Sequence, residues 1–160
     1  MLVVVLTVFT IKLSQANSSG PDLHWLWHDR CASCHGHSGD FSRSFLKVSK
    51  GELQGRHHIT DLRLFLDNHY LAGKEVDTVY NMLLAQASIE ARFKNECSRC
   101  HETAVEFVRE SLILREGVLY SRELNIPTSD TLEHHRRLES KDVEFFTKQL
   151  TRVANEVYRP

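Results

Sequence analysis

The chain has 160 residues, 41% of them hydrophobic and 26% charged, enough for one ordinary domain or two very small ones. The formal net charge is −1 and there is no basic run, which argues against nucleic acid as a partner. Only seven Gly and three Pro occur, with neither between Lys74 and Glu116, so the composition favours an all-α protein over a β-sandwich.

Residues 1–16 have the pattern of a secretory signal peptide. The apolar run Leu2 to Ile11 is too short to span a bilayer and is followed by a small-residue cleavage site at Ser14-Gln15-Ala16. We expect cleavage after Ala16, export to the periplasm and no stable membrane span afterwards. No basic residue precedes the run, and a signal that is not cleaved would leave a weak N-terminal anchor.

The elements that follow are predicted to be helical. A first helix opens near Pro21 and runs into Cys31. The segment LRLFLDNH, preceded by N-cap candidates at residues 59–61, predicts a short helix ending near His69. A third helix is expected from Lys74 to about residue 90, and its lack of breakers predicts a stiff continuation towards Cys97.

The chain repeats itself at an offset of 66 residues, which indicates a tandem duplication. The residues that recur identically at this offset include Cys31, Cys34, His35, Arg43, Leu46, Gly51, Leu53, Arg56, Leu66 and His69. Beyond the last of these the offset becomes 67, and an apolar stripe of Val143, Phe146, Leu150, Val153 and Val157 predicts the final helix. We therefore expect two units, residues 17–90 and 91–160.

Each unit contains a CxxCH motif, at Cys31 to His35 and at Cys97 to His101. This is the attachment signature of c-type haem, in which two thiols bind the porphyrin covalently and the adjacent imidazole is the proximal iron ligand. Zinc bound by two CxxC pairs, thioredoxin-like chemistry and two local disulfides are the competing interpretations. None of them explains why a histidine directly follows each pair.

With these motifs the chain resembles a small exported dihaem c-type cytochrome, each unit being similar to a minimal class I cytochrome c. The resemblance covers the layout of nearly all of residues 22–158, although only CxxCH is a specific motif within it. It implies two covalently bound haem c groups, an N-terminal helix leading into each motif, and a C-terminal helix packed across the first. It also implies a distal ligand, which in class I proteins is usually Met.

The distal ligands are predicted to be His69 and His135, because each lies 34 residues beyond its proximal histidine. Met82 has no ligating counterpart in the second unit, where Gln149 takes its place. The alternatives that stay open are Met82, His57 and His58 for the first haem and His134 for the second. His37, which falls on Thr103 in the repeat, is expected to be incidental.

Three repeated pairs have weaker interpretations. Arg56 and Arg122 are candidates to bind haem propionates, or are solvated. Trp27 and its counterpart Phe93 are expected to pack against the C-terminal helix of their own unit. Gly51 and Gly117 are expected to occupy turns that require a positive φ.

Two axial histidines would leave the iron no vacant position, which predicts an electron-transfer protein and not an enzyme. Its partners would be redox proteins met by transient contact. The alternatives are a haem enzyme or ligand sensor with one five-coordinate or labile haem, and a haem subunit of a larger oxidoreductase.

Overall fold

The structure is a computed structural model that describes residues 20–55, 61–135 and 138–159. The predicted signal peptide, Arg56 and the candidate ligands His57 and His58 lie outside the described residues. Within those residues, no helix is both long enough and apolar enough to cross a membrane.

Helices and strands follow the same order twice along the described chain. The first half contains α1 (Leu23–Arg30), α2 (Ala32–His35), α3 (Ser38–Phe45), β1 (Leu46–Ser49), β2 (Glu52–Gly55), α4 (Leu62–Asp67) and α5 (Lys74–Ser88). The second half contains α6 (Arg92–Glu96), α7 (Ala104–Ser111), β3 (Leu112–Arg115), β4 (Val118–Ser121), α8 (Thr128–Glu133) and α9 (Ser140–Val157). The elements α3, β1, β2 and α4 recur as α7, β3, β4 and α8 at the 66-residue offset found in the sequence.

The prediction of an all-α fold is wrong, because each half contains a two-stranded antiparallel sheet. The hairpins turn at Lys50-Gly51 and at Glu116-Gly117, where φ is 52° and 80° in the first and 49° and 80° in the second. Two consecutive residues with positive φ are typical of the tight turn whose twist matches paired strands. The expected positive φ at both glycines is confirmed, but the apolar residues around them form strands.

Side chains at the helix starts explain where two of the helices begin. The carboxylate of Asp22 accepts hydrogen bonds from the backbone N–H groups of His24 and Trp25 at 2.8 and 3.3 Å, so α1 begins after this cap. Asp61 caps α4 in the same way, through the N–H of Leu64 at 3.0 Å. The predicted cap of the short helix is therefore Asp61.

The apolar side chains form two clusters, one in each half. In the first, α5 packs on α3 and on the β1–β2 hairpin, with Val79 and Leu83 at its centre. In the second, α9 packs on α7, α8 and the β3–β4 hairpin, with Phe146 and Leu150 in the matching places. The stripe predicted for the final helix is thus its buried face.

The expected continuation from the third helix towards Cys97 is not observed. Helix α5 ends at Ser88, whose hydroxyl donates to the carbonyl of Leu84 at 2.7 Å, and Ile89 is extended with φ −115° and ψ 137°. A serine that bonds back to its own helix and a β-branched residue both favour termination here. A new short helix, α6, then leads into the second motif.

Ion pairs join the two halves. The guanidinium of Arg109 donates to Asp22 at 2.7 Å, and the ammonium of Lys94 donates to Asp40 at 3.0 Å. His24 on α1 and Glu156 on α9 are 3.0 Å apart at their closest side-chain atoms, and both side chains are largely buried. These contacts, with the packing of α1 on α9, set how the halves are placed relative to each other.

Candidate functional site

Both CxxCH segments fold as a single helical turn. In the first, the N–H of Cys31 donates to the carbonyl of Trp27 at 2.8 Å, and the N–H of His35 donates to that of Cys31 at 2.9 Å. The second repeats this with 2.9 Å from Cys97 to Phe93 and 3.0 Å from His101 to Cys97. Residues three and four positions apart on a helical turn share a face, so the two cysteines and the histidine of each motif are on the same side of the turn.

The four cysteines, all in the described residues, form no disulfide. In each motif the first thiol is half-buried and the second is exposed. Burial raises the pKa of the Cys31 thiol, and the charge of Arg30 opposes this in part. The protonated thiol is therefore favoured at neutral pH, and the exposed Cys34 and Cys100 are open to a large ligand.

A second histidine faces the histidine of each motif, which is the predicted proximal ligand, at the same distance. The ring centroids of His35 and His69 are 6.0 Å apart, and those of His101 and His135 are also 6.0 Å apart. Metal–imidazole bonds are about 2 Å long, so two imidazoles on opposite sides of one metal ion have centroids about 6 Å apart. Each pair is thus spaced as two axial ligands of one metal ion would be.

We call Cys31, Cys34, His35 and His69 the first site, and Cys97, Cys100, His101 and His135 the second site. Burial lowers the pKa of His35, and the nearby His69 lowers it further. The neutral imidazole that results is the form that binds metal ions.

The other candidate ligands are placed elsewhere. The ring of His134 is exposed, with its Nδ1 3.0 Å from the backbone carbonyl oxygen of Asp130. Met82 is only 1% exposed and belongs to the apolar cluster of the first half, so it acts as a core residue. His37 accepts a hydrogen bond from the N–H of Gly39 at 3.2 Å and caps α3, a structural role.

An aromatic ring that the sequence analysis missed contacts each proximal histidine. The centroid of Phe41 lies 4.7 Å from that of His35, and Phe107 lies 4.4 Å from His101. These two phenylalanines are also related by the 66-residue offset, so the repeat contained the signal. They form one wall of each site.

Trp27 and Phe93 belong to the apolar clusters that include residues of α5 and α9, the C-terminal helices against which they were expected to pack. They also approach the proximal rings, with centroids 6.2 Å from His35 and 6.5 Å from His101. The indole N–H of Trp27 donates to the carbonyl of Gly36 at 2.8 Å, which holds the segment after the motif in place.

The second site opens into a cavity of about 640 Å³, within the range typical of small-molecule and cofactor sites. Its lining includes Cys97, His101, Phe107, Thr128 and His135. Thr128 is buried, and its hydroxyl has no hydrogen-bond partner in the described part of the chain. An unpaired buried hydroxyl costs about 1–3 kcal/mol, which a bound group with polar substituents would remove.

These residues fit the haem predicted from the sequence. A haem has a flat apolar body and two carboxylates, which suits a cavity with both apolar and polar lining, and it needs two thiols and two axial ligands. Arg122, a predicted propionate partner, donates to the hydroxyl of Tyr158 at 2.9 Å. Among the described residues, no three His, Cys, Asp or Glu side chains converge in a group that could hold a metal ion.

Comparisons of the chain with protein-family models, with curated protein sequences and with solved structures found no match.

Proposed function

We propose that the chain is an exported dihaem c-type cytochrome that carries single electrons between redox proteins. The observation that carries this proposal is the pair of facing imidazoles, 6.0 Å apart, beside a CxxC pair in both halves. A shared evolutionary origin accounts for two similar folds. The retention of this particular set of thiols and imidazoles in both copies is what a haem requirement explains.

Each residue of the site has a definite task in this proposal. The thiols of Cys31 and Cys34 anchor one haem, and His35 and His69 are its axial ligands. The bound haem iron would supply one-electron chemistry by alternating between its ferric and ferrous forms. Phe41 and Trp27 pack beside the ring of His35.

Two imidazoles fill both axial positions, so exchange of electrons is favoured over binding of oxygen, peroxide or nitrogen oxides. Histidine in place of methionine removes the ligand that raises the potential of class I cytochromes. Both potentials are therefore expected to be low for c-type cytochromes. Contacts with partner proteins would be small and transient, as is usual for electron transfer.

The test is spectroscopy on the full chain, produced in a host that attaches haem c. We expect a mass increase of two haems, retention of the haem after acid–solvent extraction, and low-spin ferric signals by electron paramagnetic resonance. A high-spin ferric signal from the purified protein would overturn the assignment of two histidines per iron. Purification without attached haem from such a host would overturn the proposal as a whole.

A ligand-binding function at the second site is the second candidate, because the two distal histidines differ in their surroundings. The ring of His69 is stacked against Phe65, with centroids 4.8 Å apart, and contacts Tyr70 at 5.0 Å. His135 is more exposed, and Thr131 stands in the place of Phe65. Uptake of carbon monoxide by the reduced, unaltered protein would support this candidate, and no uptake would contradict it.

A further inference from the structure

The two sites have the same ligands but different surroundings on the distal side. In the first site, Phe65 lies one helical turn before His69 and stacks on its ring at an interplanar angle of 25°. In the second site, the equivalent residue on α8 is Thr131, which lines the cavity. An aromatic face is thus replaced by a hydroxyl next to the distal ligand.

The same change occurs at two further positions. Phe45 stacks on Phe41 at 5.4 Å and extends the aromatic wall of the first site, whereas its counterpart Ser111 lines the second cavity. The buried Leu62 at the start of α4 becomes Thr128, whose hydroxyl is buried without a partner in the described residues. In all three cases the first site has the apolar residue and the second site the polar one.

Charged residues next to the motifs do not reverse this difference in polarity between the two sites. Arg30, which precedes Cys31, is paired with Glu75 at 2.7 Å. Glu96, which precedes Cys97, is paired with Arg92 at 2.6 Å. Two further charged residues that line the second cavity, Arg99 and Glu123, are of opposite sign. With these charges balanced in pairs, the uncharged lining residues are the distinction on which the comparison of the two sites rests.

From these differences we infer that the haem of the first site has the higher reduction potential, so that electrons pass from the second site to the first. The inference rests on the proposed function. With two histidine ligands and two porphyrin charges, a ferric haem iron has a net positive charge and a ferrous one is neutral. Apolar surroundings disfavour the charged form, which raises the potential, and polar surroundings do the opposite.

The inferred direction of electron transfer determines which half of the chain would meet the donor protein and which half the acceptor protein. A one-electron donor protein would dock at the second half, where its electron reduces the ferric iron. That electron would then pass from the haem held by His101 and His135 to the haem held by His35 and His69. A one-electron acceptor protein, docking at the first half, would remove it and return both irons to the ferric state.

The test is a redox titration of the full chain and of three variants, followed by visible absorbance. For the unaltered protein we expect two reduction waves, one for each haem. Electron transfer from the second haem to the first should have an equilibrium constant of at least about 10, which corresponds to a separation of about 59 mV between the two potentials. Phe65→Thr is expected to lower the upper wave alone, and Thr131→Phe to raise the lower wave alone. Leu64→Thr is the matched control, because Leu64 is an exposed apolar residue next to Phe65, and it should move neither wave.

A low-spin spectrum of each variant would show that its axial ligands are unchanged. Phe65 is exposed, so its replacement is compatible with folding. A single unresolved wave in the unaltered protein, or a shift of the lower wave by Phe65→Thr, would overturn the inference. Those results would leave the dihaem proposal standing. A protein without haem, or with high-spin haem, would instead overturn the proposed function.

Discussion

If the second site holds a covalently attached haem as proposed, replacing its two cysteines should make the fold of the second half depend on a haem that can be lost. Cys97→Ala with Cys100→Ala leaves His101 and His135 as ligands, so haem is held there without thioether bonds. An enclosed void costs about 24 cal/mol per Å³. The cavity of about 640 Å³ would then cost up to about 15 kcal/mol when empty.

The cavity opens to solvent, so the full figure is an upper limit. Even a third of it, about 5 kcal/mol, equals the whole stability of a marginal domain. One kcal/mol shifts the melting temperature of a domain this small by roughly 4–8 °C. We therefore expect the second half of the haem-free variant to melt at least about 20 °C below the unaltered protein.

The assay is acid–solvent extraction of the second haem from the double variant, followed by thermal unfolding monitored by circular dichroism. The same variant before extraction is the control, since it differs only in its haem content. We expect two transitions after extraction, the lower one from the second half. If the extracted variant melts within a few degrees of its control, the cavity is not a haem site and the reasoning fails.

Three further predictions concern other parts of the chain. His135→Ala is expected to convert one haem to a high-spin, carbon monoxide-binding form, whereas His134→Ala leaves the absorption spectrum unchanged. Tyr80→Phe removes the hydroxyl that accepts a hydrogen bond from the buried N–H of Leu53 on β2 at 2.8 Å. Denaturant unfolding should show that the free energy of unfolding falls by about 1–3 kcal/mol. A hydrogen bond from Lys94 holds the pKa of Asp40 below its usual range. Asp40 therefore stabilises the fold above about pH 4 and less as the pH falls through that lowered pKa, so Asp40→Asn should flatten this part of an acid-unfolding curve.

The sequence predicts the helices of this chain better than its strands. The stripe of α9 has a strong helical period over five positions, and that helix forms as expected. The strands have only four residues each, too few for a clear alternation of apolar and polar positions. The hairpins could have been predicted from Gly51 and Gly117, because two-residue turns ending in glycine between apolar runs favour paired strands.

The predicted distal ligands show how far sequence spacing is informative. The common spacing of 34 residues favours His69 and His135, but a shift of one residue in the loop before them would favour His134 over His135. The choice between His134 and His135 depends on which of the two side chains, both directly after α8, faces His101. The hydrogen-bond distance between the ring of His134 and the carbonyl of Asp130 fixes it, since adjacent residues on a helical turn point in different directions.

The differences between the halves are as informative as their likeness. Residues within the motifs and the facing histidines recur, whereas Phe65, Phe45 and Leu62 are replaced by hydroxyl-bearing residues. These differences could also arise if the second copy had lost its function, but its site residues would then have been free to change as well. His101 and His135 instead have the same 6.0 Å spacing as the histidines of the first site. Two equal ligand sets in unequal surroundings favour two sites of different potential, and ion pairs such as that between Asp22 and Arg109 hold those sites in one arrangement. A directional two-step relay accounts for all three features together.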